Sequence, residues 1–293
     1  GPLQDPPAGS VLSHVNPAVR LVAGDSVVDW DGVLELARPL AAGLTCRVPA
    51  GGRVLSLVEE GINMVVVMVA CMLANVVMVP ALAAYPLRRL RLLVEEVGAE
   101  LVIADSLSEG EVGCSQVTLE ELRSWEAVEK REATGDSGLY IQFTSGSTGR
   151  PKGVLCTHSM SLSYAAAKVQ DEELDNSSVV AVVSPWTFDP CQGDIVAGLL
   201  SGATLGVPGR QYLMHEMGGA LESMKATHVC CTPALWTLVD NSSSLPSLRH
   251  LSLGGERMPP GMASRWGPRL TLRNVYGVTE ATVYQTSQVV LDA

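Results

Sequence analysis

Short apolar runs rich in β-branched residues alternate with longer helix-patterned runs along this chain, and that alternation restricts the fold more than any other feature. "RVLSLV" (53–58) reads as a strand, 62–74 as a helix, "VVMV" (76–79) as a strand, 86–97 as a helix and "LVIA" (101–104) as a strand. Strand, helix and strand in succession build parallel sheet, because a crossover must return the chain to the same sheet end before the next strand can start. A second series opens at "LYIQF" (139–143) and runs through "VVAVVSP" (179–185), "ATLGVP" (203–208), "HVCCTP" (228–233), "LRHLSLGG" (248–255) and "LRNVYG" (272–277). Helices near 192–201 and 213–225 fall between those strands. Residues 33–44 also carry apolar side chains at helical spacing, with Pro39 expected to kink that helix. The stretch 106–138 is acidic and poor in apolar residues. It reads as a connector, with one short helix near 118–128, between two lobes at 11–105 and 139–293. The fold class is α/β: two lobes of mostly parallel sheet flanked by helices.

Charge and cysteine usage narrow the function. Lys plus Arg is 20 against 31 Asp plus Glu, a formal net charge of −11. Nucleic acid and anionic membrane surfaces both call for a positive field, so neither is an expected partner. The cysteines at 46, 71, 114, 156, 191, 230 and 231 are odd in number and include no C-x-x-C. That pattern suggests neither a disulfide framework nor a zinc site, and reduced thiols fit a cytoplasmic setting. No charged-then-apolar leader opens the sequence, which points the same way. The segment 62–84 is long enough to cross a bilayer as a helix. Asn63, Asn75, Pro80 and the Glu59–Glu60 pair before it favour a buried helix over 62–74 followed by a strand instead.

"YIQFTSGSTGRPKGVLCTH" (140–158) sets a strand, a run of glycines and hydroxyls with one Lys, and a second strand-like stretch in a row. Two readings are open for it. It is a polar surface turn, or it is a cradle in which backbone N–H groups, Ser and Thr hydroxyls and Lys152 converge on an anion. The Walker pattern is not met, since two residues separate Gly149 from Lys152 and Gly153 follows the Lys, so a P-loop NTPase is not supported. Two other spacings are discounted. "YAAAK" (164–168) has the Tyr-x-x-x-Lys spacing of short-chain dehydrogenases, but no G-x-G-x-x-G opens the chain, and an ordinary helix face accounts for it. "GDSG" (135–138) has the wording of a serine-protease nucleophile loop but stands in the acidic connector.

Four stretches in order resemble the adenylate-forming enzymes, specifically amino-acid adenylation domains. "TSGSTGRPKG" (144–153) is similar to their phosphate-binding signature, and "NVYGVTEAT" (274–282) to their N-x-Y-G-x-T-E motif. "LSLGGERMPP" (251–260) is similar to the glycine turn before that motif, and "PWTFDPCQGDIVAGLLSGATL" (185–205) to the segment opening with F-D. Upstream, 64–90 resembles their early helix–strand–Y-P stretch. The wording is closest to β-alanine-activating enzymes of the aminoadipate-semialdehyde dehydrogenase type, with nonribosomal peptide synthetase domains close behind.

The resemblance implies that a carboxylate attacks the α-phosphate of ATP, giving an aminoacyl-adenylate for transfer to the phosphopantetheine thiol of a carrier protein. Two anions must meet in that step, so charge neutralisation and positioning carry the catalysis. By resemblance, Thr144, Ser145, Gly146, Ser147, Thr148, Gly149, Lys152 and Gly153 hold the phosphates. Glu280 binds Mg²⁺, Thr279 bonds the α-phosphate, Asn274 reads the adenine amino group, and Tyr276 with Gly277 lies against the adenine. The catalytic set is Lys152, Thr279 and Glu280. Each has a plainer role open to it: core packing for Tyr276, a solvated carboxylate for Glu280, a turn for Asn274. Asp189 pairs with the substrate ammonium by resemblance, although a helix N-cap serves equally on local sequence. Pro190, Gly193, Cys230, Leu251, Leu253, Val275, Val283 and Tyr284 complete a pocket expected to be small, apolar and without a second charge. A small or aliphatic amino acid, β-alanine included, suits it.

The chain departs from the family in places. "LANVVMVPALAAYP" lacks the glycine and "LDP" expected there, and "PCQGDI" after F-D is unusual. No T-G-D-type stretch or second lysine-bearing domain occurs before Ala293. The expectation is an N-terminal core without the small C-terminal domain, impaired as a ligase by itself. The alternative is a non-catalytic nucleotide- or amino-acid-binding module.

Overall fold

The hairpin β1 (Arg20–Ala23) and β2 (Ser26–Asp29) leads into α1 (Trp30–Arg47), β3 (Arg53–Ser56), α2 (Ile62–Ala74), β4 (Val77–Pro80), α3 (Leu87–Val97) and β5 (Leu101–Ala104). The computed structural model describes residues 7–107, 110–125, 131–144, 150–240 and 244–290. Next come β6 (Ser115–Thr118), α4 (Leu119–Arg123), β7 (Gly138–Thr144), β8 (Lys152–Thr157), α5 (His158–Asp171), β9 (Val179–Ala181), α6 (Pro190–Ser201) and β10 (Thr204–Gly206). The chain continues through α7 (Arg210–His215), α8 (Met217–Ser223), β11 (His228–Cys231), α9 (Pro233–Trp236), β12 (His250–Gly254), α10 (Met262–Trp266), β13 (Thr271–Tyr276) and β14 (Thr286–Val289).

These elements form two compact units. One holds residues 30–162 with 7–14, and the other residues 163–290 with 15–29. The first contains a six-stranded sheet in the order β6-β5-β3-β4-β7-β8, parallel except for the antiparallel β7–β8 pair. α2 is apolar on every side and every residue from Met64 to Met72 is buried, as expected of a helix inside a core. Asn75 ends it in the left-handed conformation (φ 50°) and donates its N–H back to the last turn. α3 is one-sided instead: Leu90, Leu93, Val94 and Val97 are buried, and Gly98 caps it at φ 60°. No helix of the described residues is long and apolar enough to cross a membrane.

The second unit holds an eight-stranded sheet in the order β14-β13-β12-β11-β9-β10-β1-β2, parallel in the middle and antiparallel at both outer pairs. Trp236, Trp266, Leu213, Leu251, Leu253 and Leu272 belong to the core on one of its faces.

Three expectations need correction. Residues 106–138 do not act as a connector between lobes: β6 pairs in parallel with β5, and α4 is fixed by a capping box between Thr118 and Glu121. β7 and β8 stay with the first sheet, because Met78 pairs with Tyr140. The helix expected over 213–225 is two helices, broken at Glu216, whose φ of −145° and ψ of 54° cannot continue a helical turn. The β1–β2 hairpin escaped the sequence reading, being two four-residue strands with mostly exposed side chains.

Candidate functional site

The Gly/Ser/Thr loop joins two strands of the first unit. Thr144 ends β7 and pairs with Lys152 at the start of β8, and Phe143 pairs with Gly153. That register brings the two ends of the loop side by side and leaves Lys152 exposed at its rim. A Cβ on Gly153 would stand 2.8 Å from Ile141 Cγ2, so any larger residue there would force the Ile141 side chain to move. Ser145, Gly146, Ser147, Thr148 and Gly149 lie outside the described residues.

The other expected residues lie in the second unit. Asn274 and Tyr276 are exposed on β13, Tyr276 at 67%. After them the chain makes a tight return. Gly277 lies against the backbone of Val283 and Tyr284, where any side chain would collide. Thr279–Ala281 form one 3₁₀ turn that leaves the Glu280 carboxylate exposed. Gln285 locks the return: its N–H donates to the Tyr276 carbonyl at 2.9 Å, and its Oε1 accepts the Val278 N–H at 2.9 Å. Thr282 and Val283 both have positive φ, 68° and 61°. For β-branched residues that backbone is costly, and such strain is held only where the surroundings over-determine it.

The strained segment serves Asp189. The Val283 N–H and the Thr279 hydroxyl both hydrogen-bond to the Asp189 carboxylate, which is buried at 4% exposure. Burial lifts its pKa above the ordinary value against the pull of those two bonds, and the nearby Glu280 charge adds to the rise. Asp189 sits at the N-cap position of α6, yet it makes no capping bond, and its Oδ2 has no hydrogen-bond partner. Helix capping is therefore not its role. Pro190 opens α6, and Gly193, one turn on, gives its N–H to the Asp189 carbonyl at 3.0 Å.

A cavity of about 390 Å³ lies behind these groups, lined in part by Cys230, Val275 and Tyr284. Leu251 and Leu253 are not among its walls. In β12 alternate side chains face opposite ways, and both leucines enter the core with Trp236 and Trp266. Ser252 and Gly254 take the other face: the strand register sets Ser252 beside Cys230 and Gly254 beside Val275. The expected positions were one residue out of phase.

This cavity carries charged groups. Tyr164 and Lys168, one turn apart on α5, line the cavity together with Glu172 just past the end of that helix. The Lys168 ammonium lies 3.0 Å from Glu172 and 3.2 Å from Asp194, all three buried. Ser252 donates its hydroxyl to Glu172 Oε1 at 2.6 Å. Burial opposes the Lys168 charge, but the two carboxylates outweigh it and hold its pKa well above the ordinary value. Burial likewise opposes the Glu172 charge, yet Lys168 and the Ser252 bond hold that carboxylate below its usual range. One cation does not neutralise two buried acids. Asp194, with Oδ2 unpartnered, is the one that gives way, and burial pushes it up to about 7.

The model of the family described as "AMP-binding enzyme" matches residues 14–292. The chain belongs to that family. Among curated relatives, this AMP-binding chain is 32% identical over 299 residues to "Nonribosomal peptide synthetase nanA" of Aspergillus nanangensis, covering 94% of the chain and 12% of the relative. It is 28% identical over 294 residues to "Malformin synthetase mlfA" of Aspergillus sclerotiicarbonarius, covering 94% and 6%. The chain thus spans a small share of these relatives' length. Among solved structures, the nonribosomal peptide synthetase FmoA3 superposes with a TM-score of 0.87 at 20% identity, over 98% of this chain and 33% of that one. The N-terminal subdomain of Klebsiella oxytoca NpsA, in complex with 3-hydroxybenzoyl-AMSN, gives 0.83 at 22% identity over 95% and 73%. The fold is that of the N-terminal subdomain of adenylate-forming enzymes. Nothing in these matches singles out the β-alanine-activating branch.

Within this AMP-binding core the sequence reading missed Tyr164, Lys168, Glu172, Asp194, Ser252 and Gln285. The spacing of "YAAAK" did carry a signal, since Tyr164 and Lys168 share one helix face.

Proposed function

We propose that this chain is the nucleotide- and amino-acid-binding core of an adenylation domain, which joins the carboxylate of a small amino acid to AMP. In that reaction a carboxylate oxygen attacks the α-phosphorus, and the bond to the leaving pyrophosphate breaks. The observation that carries the reading is Asp189: a buried carboxylate, positioned by Thr279 and Val283, with one oxygen left for a cationic partner. A buried acid with a vacant oxygen is costly alone, and an ammonium group offsets that cost. Thr279 bonds to Asp189 and stands next to Glu280, so one short turn serves both the amine and the phosphate side. Exposed Tyr276 offers a ring face for adenine, and Asn274 an amide for its edge. Lys152, with the loop from Thr144 to Gly153, is assigned to the phosphates.

Mg²⁺ fits the exposed Glu280 carboxylate, a hard oxygen donor without a protein cation bonded to it among the described contacts. When bound with ATP, it would neutralise phosphate charge. The carrier-protein thiol is assigned as acceptor by analogy with the synthetases.

Calorimetric titration of the chain with non-hydrolysable aminoacyl sulfamoyl-adenosines tests this, with AMP as the control ligand. Aminoacyl mimics are expected to bind more tightly than AMP, and Asp189→Ala to erase that advantage while leaving AMP affinity in place. A folded chain that binds no mimic overturns the reading and favours a binding module without adenylating activity.

A further inference from the structure

Tyr164 stands outside every segment that carries the family resemblance, yet its ring fills a decisive volume. A Cβ placed on Gly193 would lie 2.6 Å from Tyr164 Cε1 and 3.3 Å from Val283 Cγ2. Gly193 is one helical turn beyond Asp189, on the same side of α6. Val283 joins the two, since its N–H serves the Asp189 carboxylate and its methyl faces Gly193. Tyr164 also lines the cavity of about 390 Å³, together with Tyr284, Cys230 and Lys168. The same side chain therefore touches the helix face beside Asp189 and the empty volume behind it. On the Gly193 side, the Tyr164 ring occupies the space through which a side chain larger than a methyl group would extend toward that volume. Tyr164 is half-buried, and its ring is packed against the Gly193 backbone, where even a Cβ would collide with it.

We infer that Tyr164 is a specificity-determining residue whose ring closes the amino-acid site beside Asp189 and Gly193 against the cavity behind. The substrate class is accordingly an amino acid with no side chain beyond a methyl group, such as glycine, alanine or β-alanine. This inference rests on the carboxylate-activation reading above. It locates small-substrate selectivity in a residue of α5 and not in an intrinsically small site, since the cavity behind has room for a large side chain.

The test is calorimetric titration of the wild-type chain, Tyr164→Ala and Tyr164→Phe with glycyl, alanyl, β-alanyl, leucyl and phenylalanyl sulfamoyl-adenosines. Folding of each variant is checked by circular dichroism. The wild type is expected to favour the first three mimics by about tenfold or more, the discrimination that a closed apolar wall provides. Tyr164→Ala should gain about tenfold or more for the leucyl and phenylalanyl mimics. Tyr164→Phe should behave as wild type, because the ring and not the hydroxyl forms the wall. If Tyr164→Ala does not fold, Tyr164→Leu carries the same expectation for the leucyl mimic. A folded variant that gains nothing, or a wild type that binds the phenylalanyl mimic as tightly as the glycyl one, overturns the inference alone. A wild type that binds none of the series overturns the activation reading, and this inference falls with it.

Discussion

Replacing Asp194 with Asn should stabilise the protein at alkaline pH and leave it unchanged at acid pH. Asp194 shares a single buried ammonium with Glu172, and Glu172 has the better bonds: Lys168 at 3.0 Å and the Ser252 hydroxyl at 2.6 Å. Asp194 carries its proton up to about pH 7 in the folded chain, against an ordinary value of 3.8. At about 1.4 kcal/mol for each pH unit between those values, ionising it in the folded state costs about 4 kcal/mol. The folded state holds this proton more tightly than the unfolded state does. Its contribution is therefore complete below the ordinary value and is lost as pH rises to about 7. Asn cannot ionise and mimics the protonated acid. The stability difference between variant and wild type should start near zero around pH 4, grow through the neutral range and level off above pH 7 at about 4 kcal/mol in favour of Asn. Titrating groups remote from this cluster cancel in that difference. Urea unfolding followed by tryptophan fluorescence reads it, since Trp186 and Trp236 are buried and lie in the same unit as Asp194. A pH-independent difference, or an Asn variant less stable at pH 8, would refute the reasoning that one cation serves two acids here.

Lys168→Met removes the only cation bonded to either acid among the described residues and should cost about 3–5 kcal/mol, with the loss deepening as pH rises; the same urea titrations measure it. Gly193→Ala forces the added methyl against the Tyr164 ring and should cost about 1–3 kcal/mol of stability, read as a lowered melting temperature. Tyr276→Ala, at an exposed position, should leave stability within about 0.5 kcal/mol of wild type. If its ring carries adenine, AMP affinity should fall about tenfold in calorimetry.

Much of the fold was legible because its elements are local and periodic. α2 occupies the residues its apolar run marks out, and β5 occupies all of "LVIA". The assignment of 106–138 failed for a reason composition cannot convey. β6 is a polar edge strand, with only Val117 buried, and its place depends on pairing with β5. Asp189 could be picked out from the sequence, but its freedom from capping could not. That depends on Val283 holding a positive φ, a property that emerges only when the chain folds back. Leu251 and Leu253 show the converse. They are apolar and near the glycine turn, yet a strand's period of two decides which face they take, and a shift by one residue exchanges one face of the sheet for the other. The charged floor was illegible as well, because Lys168, Glu172, Asp194 and Ser252 come from three separate elements.

The pairing of Leu21 with Leu205 imposes an order on synthesis. The chain from Trp30 to Leu162 is uninterrupted, and its six strands find partners within that span. It can assemble while the ribosome is still translating the second unit. The β1–β2 hairpin is made earlier but waits for β10, and a lone two-stranded hairpin is barely stable in water. A truncation that starts at Trp30 would strip β10 of one of its two neighbours and leave a bare sheet edge, a template for self-association. Expression trials that trim the N-terminus should lose soluble yield abruptly once they pass Val19 and cut into the hairpin.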